Sequence, residues 1–502
     1  MLHIKDIILN KPFALNVFNF FKKIQHNINL RKLSNNYDNA SNSTISKEQL
    51  LEYNKYRLLG PQEKLRNAPY TSLFINMNGN VNVCGYNKTH ILGNIVENKL
   101  KDIWLNDKHF ELIDSIENYN LSKGCLVCQQ KIDDKDYPRA AIYFDSPKAE
   151  KNIVLRRVTF ELSNLCNLEC IMCNGELSSL IRKNVEKKAP LKLPDYDDLL
   201  SQIKDFIPDL YFTQYLGGEP LLIKPYYKIW EALVENNKKC KISLQTNATV
   251  IPEAFKALLL KSKNQFIISV SIDSFNKENY ERIRKKANFA TSMQNIEYYL
   301  MLMKNKIIDF SINFVPMTVN WKEIIDAVNF ANKNKILLSM EEVNSPYEFS
   351  FYSLEKNKIV EIINYLELNM PISTTNYYEI KNKELLQNQI SQLKHVLNKI
   401  SLSNSYMSEK CSDSKDAESE FNYYIKNISI KTQVVIDYID KNILFPLSSL
   451  DGADRISYMN KFNRYFYLRN FIHNNKVDDA YNQQQFEGLL INELNSFIKT
   501  TF

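Results

Sequence analysis

The order of apolar runs along the middle of the chain predicts a parallel α/β fold. From residue 153 onward, short apolar runs alternate with stretches of helical periodicity. The runs centre on Val158, Phe212, Ser243, Ser269, Ile312 and Leu338. The helical stretches between them include 221–236, 252–263, 287–304 and 322–334. Repeated strand–helix units form parallel sheets with crossover helices. The pattern therefore predicts an incomplete (βα)6 barrel over 153–345, with its chemistry at the carboxyl ends of the strands.

The flanking segments follow other patterns. Residues 67–132 predict a small α+β module, because two apolar runs flank an Asn-Gly turn and a helical stretch follows at about 98–118. The charged stretch 133–152 predicts a linker. Residues 1–50 predict a helix, either docked on the body or lying on a membrane surface, and a flexible polar tether at 34–47. Beyond residue 350 we predict a helical region over 350–502, with helices at 354–369, 378–400, 418–439 and 479–499.

Composition and charge narrow the class of protein. The chain has 502 residues, of which 44% are hydrophobic and 24% charged, as in a globular protein of roughly three domains. No run approaches the roughly 18 apolar residues of a spanning helix, and the N-terminal segment lacks the apolar core of a signal peptide. The net charge of +7 is spread along the chain, which argues against a nucleic-acid partner. We therefore expect a cytoplasmic protein, and we favour a docked N-terminal helix over membrane contact.

Three of the eight cysteines stand in one short loop. Cys166, Cys170 and Cys173 have a CxxxCxxC spacing directly after the first barrel strand. Three thiolates on one loop can hold three irons of a four-iron cluster and leave the fourth iron open to a small chelating molecule. The alternatives are a zinc site, which usually has four protein ligands, and three free cysteines.

Polar residues also close the next three barrel strands. The second strand ends in Gly217-Gly218-Glu219-Pro220, the third in Thr246-Asn247, and the fourth in Ser271-Ile272-Asp273. Glycines allow a close approach of backbone to a ligand, and a carboxylate can accept hydrogen bonds from an ammonium group. Each of these segments taken singly is also compatible with a helix N-cap.

With these motifs, residues 153–345 resemble the radical S-adenosylmethionine (SAM) superfamily. The resemblance implies a [4Fe-4S] cluster on Cys166, Cys170 and Cys173, with SAM chelating the open iron. Reductive cleavage of SAM would give a 5′-deoxyadenosyl radical that abstracts hydrogen from a substrate. It also implies a set of SAM-contacting residues: Gly217, Gly218, Glu219, Thr246, Asn247, Ser271 and Arg284. Glu219 would meet the SAM amino group, and Arg284, expected at a helix start, would pair with the SAM carboxylate or be a solvated helix charge.

The cysteines before the barrel resemble those of a twitch domain, a shortened relative of the SPASM domain. The resemblance covers about 67–132 and implies an auxiliary iron–sulfur cluster on Cys84, Cys125 and Cys128. It departs from the twitch pattern at Asn67, which stands where a further cysteine would fall. Three outcomes remain open. The auxiliary cluster could keep an open iron that binds substrate, or Asn67, a histidine or a substrate group could supply the fourth ligand. Alternatively, the cluster is lost and a zinc-bound or metal-free remnant keeps the fold.

These resemblances imply a radical SAM enzyme of unidentified substrate. Its relatives act on peptides, proteins and sugar-type small molecules, and an electron donor such as flavodoxin or ferredoxin is implied. The alternative is a non-catalytic iron–sulfur or zinc-stabilised binding protein that keeps the fold. The other candidates are weaker. We expect Cys240 to be a core residue and Cys411 an exposed thiol, while Glu341 and Glu342 lie on the expected active edge.

Overall fold

The computed structural model describes most of the chain between residues 42 and 410. Gaps in that range fall at 58–59, 63, 134, 138–139, 141–144, 146, 149–151, 197, 344–345 and 373–375, and residues 37–38, 418, 422 and 459 are described outside it. The predicted helices within 1–30, 418–439 and 479–499 lie outside the described residues, except for the isolated positions just named. Cys411 also lies outside.

Nine strands form one open sheet in the described part of the chain. The strands are β1 Ser72–Ile75, β2 Asn80–Asn82, β3 Gly93–Asn94, β4 Arg157–Phe160, β5 Phe212–Tyr215, β6 Lys241–Thr246, β7 Phe266–Ser271, β8 Ile308–Phe314 and β9 Leu337–Met340. Their order is β3-β2-β1-β4-β5-β6-β7-β8-β9. All neighbours from β4 to β9 are parallel. This confirms the α/β class and the six strands predicted for the partial barrel, whose sheet does not close.

Helices follow the barrel strands as the periodicity predicts. They are α6 Leu199–Lys204, α7 Lys224–Asn236, α8 Glu253–Lys261, α9 Lys277–Ile283, α10 Phe289–Lys304 and α11 Ile324–Asn334. Two further helices, α12 Lys356–Leu368 and α13 Tyr377–Lys410, cover the β9 side of the sheet. None of the described helices is both long enough and apolar enough to cross a membrane.

The two faces of the barrel sheet differ in chemistry. On the helix-covered face, Phe160 stacks on Tyr215, and Tyr215 meets Trp230 of α7 edge-on with ring centroids 5.2 Å apart. This face is the apolar core. The opposite face carries mainly short polar side chains, which pair across the strands in register: Gln214 with Ser243, Gln245 with Ser269, Ser269 with Ser311, and Asn313 with Ser339. A closed barrel normally fills this side with bulky branched residues. Gln245 is instead exposed in mid-sheet, so this polar inner face is open.

The N-terminal module joins the barrel through its own hairpin. Strand β1 pairs in parallel with β4, and β2 and β3 add antiparallel strands at that edge. The hairpin predicted around the Asn-Gly turn is therefore present, and it extends the barrel sheet. The helices of this module are α1 Lys47–Lys55, α2 Ala68–Thr71, α3 Leu100–Trp104, α4 Asp107–Glu117 and α5 Leu126–Asp133.

The end of the predicted tether is packed. Ile45 is buried, and the main-chain nitrogen of Thr44 donates to the Tyr119 oxygen at 3.2 Å. Ser46 then caps α1 by accepting a hydrogen bond from the Gln49 nitrogen, and the Gln49 side chain accepts one from the Ser46 nitrogen. This reciprocal capping box satisfies two main-chain donors that the first turn of a helix leaves unpaired. Residues 42–47 of the predicted tether are thus packed on the module, because this polar sequence supplies a helix cap.

Turns between Glu219 and Asp451 lack glycine. Asparagines start two of the helices there, since Asn276 caps α9 and Asn288 caps α10. Left-handed backbone, however, falls on Ala248, Lys286, Lys306 and Lys335. Such positions cost an L-residue roughly 1–2 kcal/mol, so the packed helices on either side stabilise them.

Candidate functional site

The loop after β4 brings the cysteine triplet to the carboxyl end of the sheet. Cys166, Cys170 and Cys173 are partly exposed there. The loop is fixed from two sides, because the Ser178 hydroxyl donates to the Leu168 oxygen at 2.7 Å and the Ile171 nitrogen donates to the Ile283 oxygen at 2.9 Å. The second bond ties the loop to the end of α9.

The three thiols share one electrostatic environment. Burial raises the pKa of Cys170 to about 12 and that of Cys173 to about 11, and the thiol of Cys166 adds to both shifts. Thiols in this state ionise only beside a cation, and metal ligation deprotonates them. Among the described residues, no three His, Cys, Asp or Glu side chains have the close spacing of ligands to a single metal ion.

The Gly217-Gly218-Glu219 segment packs directly against the start of the cysteine loop. The Gly218 nitrogen donates to the Ser163 oxygen at 2.9 Å, and the Glu219 nitrogen donates to the Leu165 oxygen at 2.7 Å. A β-carbon on Gly217 would lie 2.4 Å from the Ser163 oxygen, and one on Gly218 would lie 2.2 Å from the Leu165 oxygen. Both positions therefore require glycine, because the contacts are with main-chain atoms.

Glu219 links this segment to the end of β6. Its carboxylate accepts hydrogen bonds from the Thr246 hydroxyl at 2.7 Å and from the Asn247 nitrogen at 2.8 Å. Burial raises the pKa of Glu219 to about 7, although these hydrogen bonds favour the ionised form. Glu219 and Thr246 thus contact each other, whereas the resemblance implied separate contacts with SAM for each.

Asn247 extends the same network to the cysteine loop. Its amide nitrogen donates to the Asn167 oxygen at 3.0 Å, and Asn167 in turn donates to the Thr249 hydroxyl at 2.8 Å. Asn167 follows Cys166 directly. The ends of β5 and β6 therefore hold the cysteine loop through a chain of hydrogen bonds, and these motifs meet at one edge of the sheet.

Arg284 lies beside the thiols but not at a helix start. It follows α9 as the C-cap residue, because Asn276 begins that helix. The side chain is buried, so it is not a solvated charge, and its guanidinium forms an ion pair with Asp273 at 2.7 Å. Burial lowers its pKa, but Asp273 and Cys170 outweigh burial and raise it. The Arg284 Nε is buried without a hydrogen-bond partner. It is a donor that an anionic group beside Cys170 would satisfy.

Two inner-face residues complete this edge. Ser271, at the end of β7, accepts a hydrogen bond from the Gln245 amide at 2.9 Å. Glu161, which the sequence reasoning missed, follows β4 on the same side as Thr159. Burial raises its pKa, and Lys88 lowers it. The sequence signal was the alternation of Arg157, Thr159 and Glu161 along one strand.

The cysteines of the N-terminal module form a second, buried group. Cys84, Cys125 and Cys128 are at most 8% exposed. Burial raises the pKa of Cys84 to about 11, and the Cys128 thiol adds to that shift. Burial and the Cys128 and Cys84 thiols likewise raise the pKa of Cys125. The structure therefore brings together the three thiols that the sequence paired with an auxiliary cluster.

Asn67 has another partner. Its side-chain amide donates to the main-chain oxygen of Asp145 at 2.9 Å. The two described histidines near this module also have main-chain partners: His90 contacts Lys108, and His109 contacts Trp104 and Pro69. None of these contacts is with Cys84, Cys125 or Cys128.

The structure also gives the positions of the remaining candidates from the sequence. Cys240 is fully buried and contacts Thr213, which confirms its assignment to the core. Glu341 and Glu342 follow β9 at the carboxyl edge. Glu342 lines a small cavity with Phe351 and Leu393.

Comparison with known proteins identifies two domain families in this chain. The model of the Radical SAM superfamily matches residues 160–375, and that of an iron–sulfur cluster-binding domain, SPASM, matches residues 67–129. Residues 160–375 thus form a radical SAM domain, and a SPASM- or twitch-like domain precedes it. The radical SAM domain supports an enzyme and implies a [4Fe-4S] cluster and SAM. The SPASM domain supports an auxiliary iron–sulfur cluster.

Individual relatives are distant. The chain is 24% identical over 203 residues to a GTP 3′,8-cyclase of Clostridium botulinum, covering 39% of this chain and 60% of that protein. It is 25% identical to a probable GTP 3′,8-cyclase of Methanocaldococcus jannaschii, covering 38% of this chain and 59% of that protein. The chain spans about six tenths of the length of these curated relatives. Among solved structures, anSMEcpe with bound AdoMet is 21% identical to this chain, with a TM-score of 0.33. The match covers 42% of this chain and 59% of that chain.

Proposed function

We propose that this protein reductively cleaves SAM at a cluster held by Cys166, Cys170 and Cys173 and uses the radical to abstract hydrogen from a polar substrate. Bound there, the cluster supplies the electron that breaks SAM into methionine and a 5′-deoxyadenosyl radical. The chain supplies the three thiolates, the pocket that orients SAM, and the surface that holds the substrate.

One observation carries the proposal: the segments that would hold the cluster and SAM are bonded directly to one another. Gly218 and Glu219 bond to the main chain just before Cys166, and Asn247 bonds to Asn167 just after it. The two glycines bring that main chain against the cysteine loop with no space for a side chain. A binding protein that kept only a structural metal would not need this rigid junction at a partly exposed triplet.

Charged groups around the triplet fit SAM and a cluster. Glu219 is the carboxylate proposed to meet the SAM ammonium group. Its Oε2 atom accepts a hydrogen bond from the Asn247 nitrogen, and a carboxylate oxygen can accept more than one. Arg284 presents the buried Nε donor beside Cys170, which suits a carboxylate or a cluster sulfur. Thr246 and Asn247 would act by positioning Glu219 and the cysteine loop.

The inner face of the sheet favours a substrate rich in hydrogen-bonding groups. Short hydroxyl and amide side chains line β6 to β9, and Gln245 is exposed among them. A peptide or a sugar-type molecule offers matching donors and acceptors, and buried polar groups need such partners. The oxidation, epimerisation, dehydrogenation or cross-linking that follows hydrogen abstraction is set by the substrate. GTP belongs to the named relatives, which match only part of this chain.

We further propose that Cys84, Cys125 and Cys128 hold the auxiliary cluster. Their mutual proximity and burial support this set. A flavodoxin- or ferredoxin-type electron donor and a cytoplasmic location complete the proposal as expectations.

The test is anaerobic reconstitution followed by iron and SAM-cleavage assays. We expect about eight irons per chain, and about four in the Cys166/Cys170/Cys173→Ala variant. With dithionite, the wild-type protein should release 5′-deoxyadenosine and methionine, and the variant should not. Cys240→Ala is the matched control, because it removes a buried thiol away from both groups. Release of 5′-deoxyadenosine by the triple variant at the wild-type rate, or zinc instead of iron in the wild type, would contradict the proposal.

A further inference from the structure

A buried arginine lies near the second cysteine group. Arg66 is 5% exposed, and its Nη1 donates to the Tyr53 hydroxyl at 2.7 Å and to the Ala140 oxygen at 2.5 Å. These two bonds fix the guanidinium plane over the Tyr53 ring, with 5.0 Å to its centroid. Its Nη2 is buried without a hydrogen-bond partner. An unpaired buried donor is destabilising, so a missing acceptor is indicated.

All three thiols of that group lie within electrostatic reach of Arg66. Arg66 lowers the pKa of Cys84, Cys125 and Cys128 in each case, against a larger effect of burial that raises it. Conversely, burial lowers the pKa of Arg66, but Cys128, Tyr53 and Asp145 outweigh burial and raise it. Arg66 is thus the cation shared by all three thiols.

The surrounding residues hold Arg66 in place. The Tyr53 hydroxyl donates to Asp145 at 3.0 Å, and the same carboxylate accepts from Arg57 Nε at 2.9 Å. Asn67, at the position of the missing cysteine, donates to the main chain of Asp145. Asn67 therefore anchors Asp145 and, through it, the positively charged network of Arg57, Tyr53 and Arg66. In the twitch pattern, a fourth cysteine would stand at the position of Asn67.

We propose that Arg66 is a positioning residue for the auxiliary cluster, donating from Nη2 to a cluster sulfur or thiolate and raising the cluster's reduction potential. The inference rests on the proposed assignment of Cys84, Cys125 and Cys128 to that cluster. Reduction adds a negative charge, which a buried cation stabilises, and hydrogen bonds to sulfur act in the same direction. Removal of Arg66 therefore makes the potential more negative.

The test uses the full-length chain with Cys166, Cys170 and Cys173 replaced by Ala, so that a single cluster remains. Its midpoint potential is measured by redox titration with EPR detection. We expect Arg66→Gln to disfavour the reduced cluster by at least tenfold, which is 59 mV for one electron. Arg66→Lys should recover part of this shift. Arg57→Gln is the matched control, since Arg57 is equally buried and bonds the Asp145 carboxylate to which Tyr53 donates, and it should change the potential less.

Each outcome decides the inference. An Arg66→Gln potential equal to that of the parent, or an equal shift in Arg57→Gln, overturns it. If Arg66→Gln cannot hold iron, then Arg66→Lys decides: about four irons at a potential near that of the parent supports a role for the charge, and iron loss there overturns it. A parent protein without iron refutes the cysteine assignment itself, which separates that failure from a failure of Arg66.

Discussion

Replacement of Gly218 by Ala tests whether the cysteine loop depends on the close approach of two main-chain segments. The added β-carbon would lie 2.2 Å from the Leu165 oxygen, 2.5 Å from its carbonyl carbon and 2.7 Å from the Asn164 carbonyl carbon. Since all three atoms belong to the main chain, no side-chain rotation relieves the contact. The loop that begins at Cys166 must move.

The expected cost follows from the contacts at stake. Overpacking costs about 1–3 kcal/mol. The hydrogen bonds from Gly218 to Ser163 and from Glu219 to Leu165 contribute about 1 kcal/mol each. We therefore expect the free energy of unfolding to fall by about 3–5 kcal/mol. Because the displacement falls on the triplet, the reconstituted variant should also lose about four of its eight irons.

Urea unfolding and iron analysis of Gly218→Ala measure these two effects. Gly60→Ala is the control: its β-carbon meets no atom within 4 Å, and only its φ of +74° adds strain. Left-handed backbone costs roughly 1–2 kcal/mol, and Gly60→Ala should keep all its iron. Full iron content in Gly218→Ala, with stability within about 1 kcal/mol of the wild type, would refute the argument from close approach.

Two other groups at the site give further predictions. Glu219, whose pKa burial raises to about 7, is ionised above that pH, so SAM affinity in equilibrium dialysis should fall up to about tenfold per pH unit below 7. Glu219→Gln should bind SAM weakly at every pH, and a flat wild-type profile would count against pairing with the SAM ammonium. Arg284→Gln leaves the buried Asp273 carboxylate without its ion-pair partner and should lower the free energy of unfolding by about 3–5 kcal/mol. Adding Asp273→Asn should recover part of that loss in urea unfolding, and strictly additive losses would contradict the pairing.

The strands and helices of the barrel were predictable because their signal is local. The six apolar runs that define β4 to β9 each alternate over a few residues, and side-chain periodicity records which face is buried. The cysteine triplet and the Gly217-Gly218-Glu219 segment were equally visible, because their spacing is short. That the ends of β4, β5 and β6 meet follows from parallel pairing alone.

Contacts between distant segments were not predictable in this way. Asn67 bonds to Asp145 across 78 residues, and no periodicity marks that pair. Arg284 was expected at a helix start, but Asn276 is the stronger cap and places Arg284 at the helix end beside Asp273. Arg66 carries no motif at all. Its position depends on Tyr53, which α1 brings against Arg66 from a segment outside residues 67–129.

The shared sheet also sets where the module ahead of the barrel lies relative to the proposed substrate surface. Strand β2 reverses direction, so its register places Cys84 opposite Ser72, near the amino end of β4, whereas Cys166 follows the carboxyl end of β4. The electrostatic contact of Cys84 with Arg157, at the start of β4, agrees with that placement. The four residues of β4 span about 13 Å, which is the distance between its two ends. Cys84 and Cys166 therefore lie toward opposite ends of β4, and a substrate bound on the proposed inner face would lie between them. The edge strand β1, rather than the order of domains in the chain, sets this arrangement.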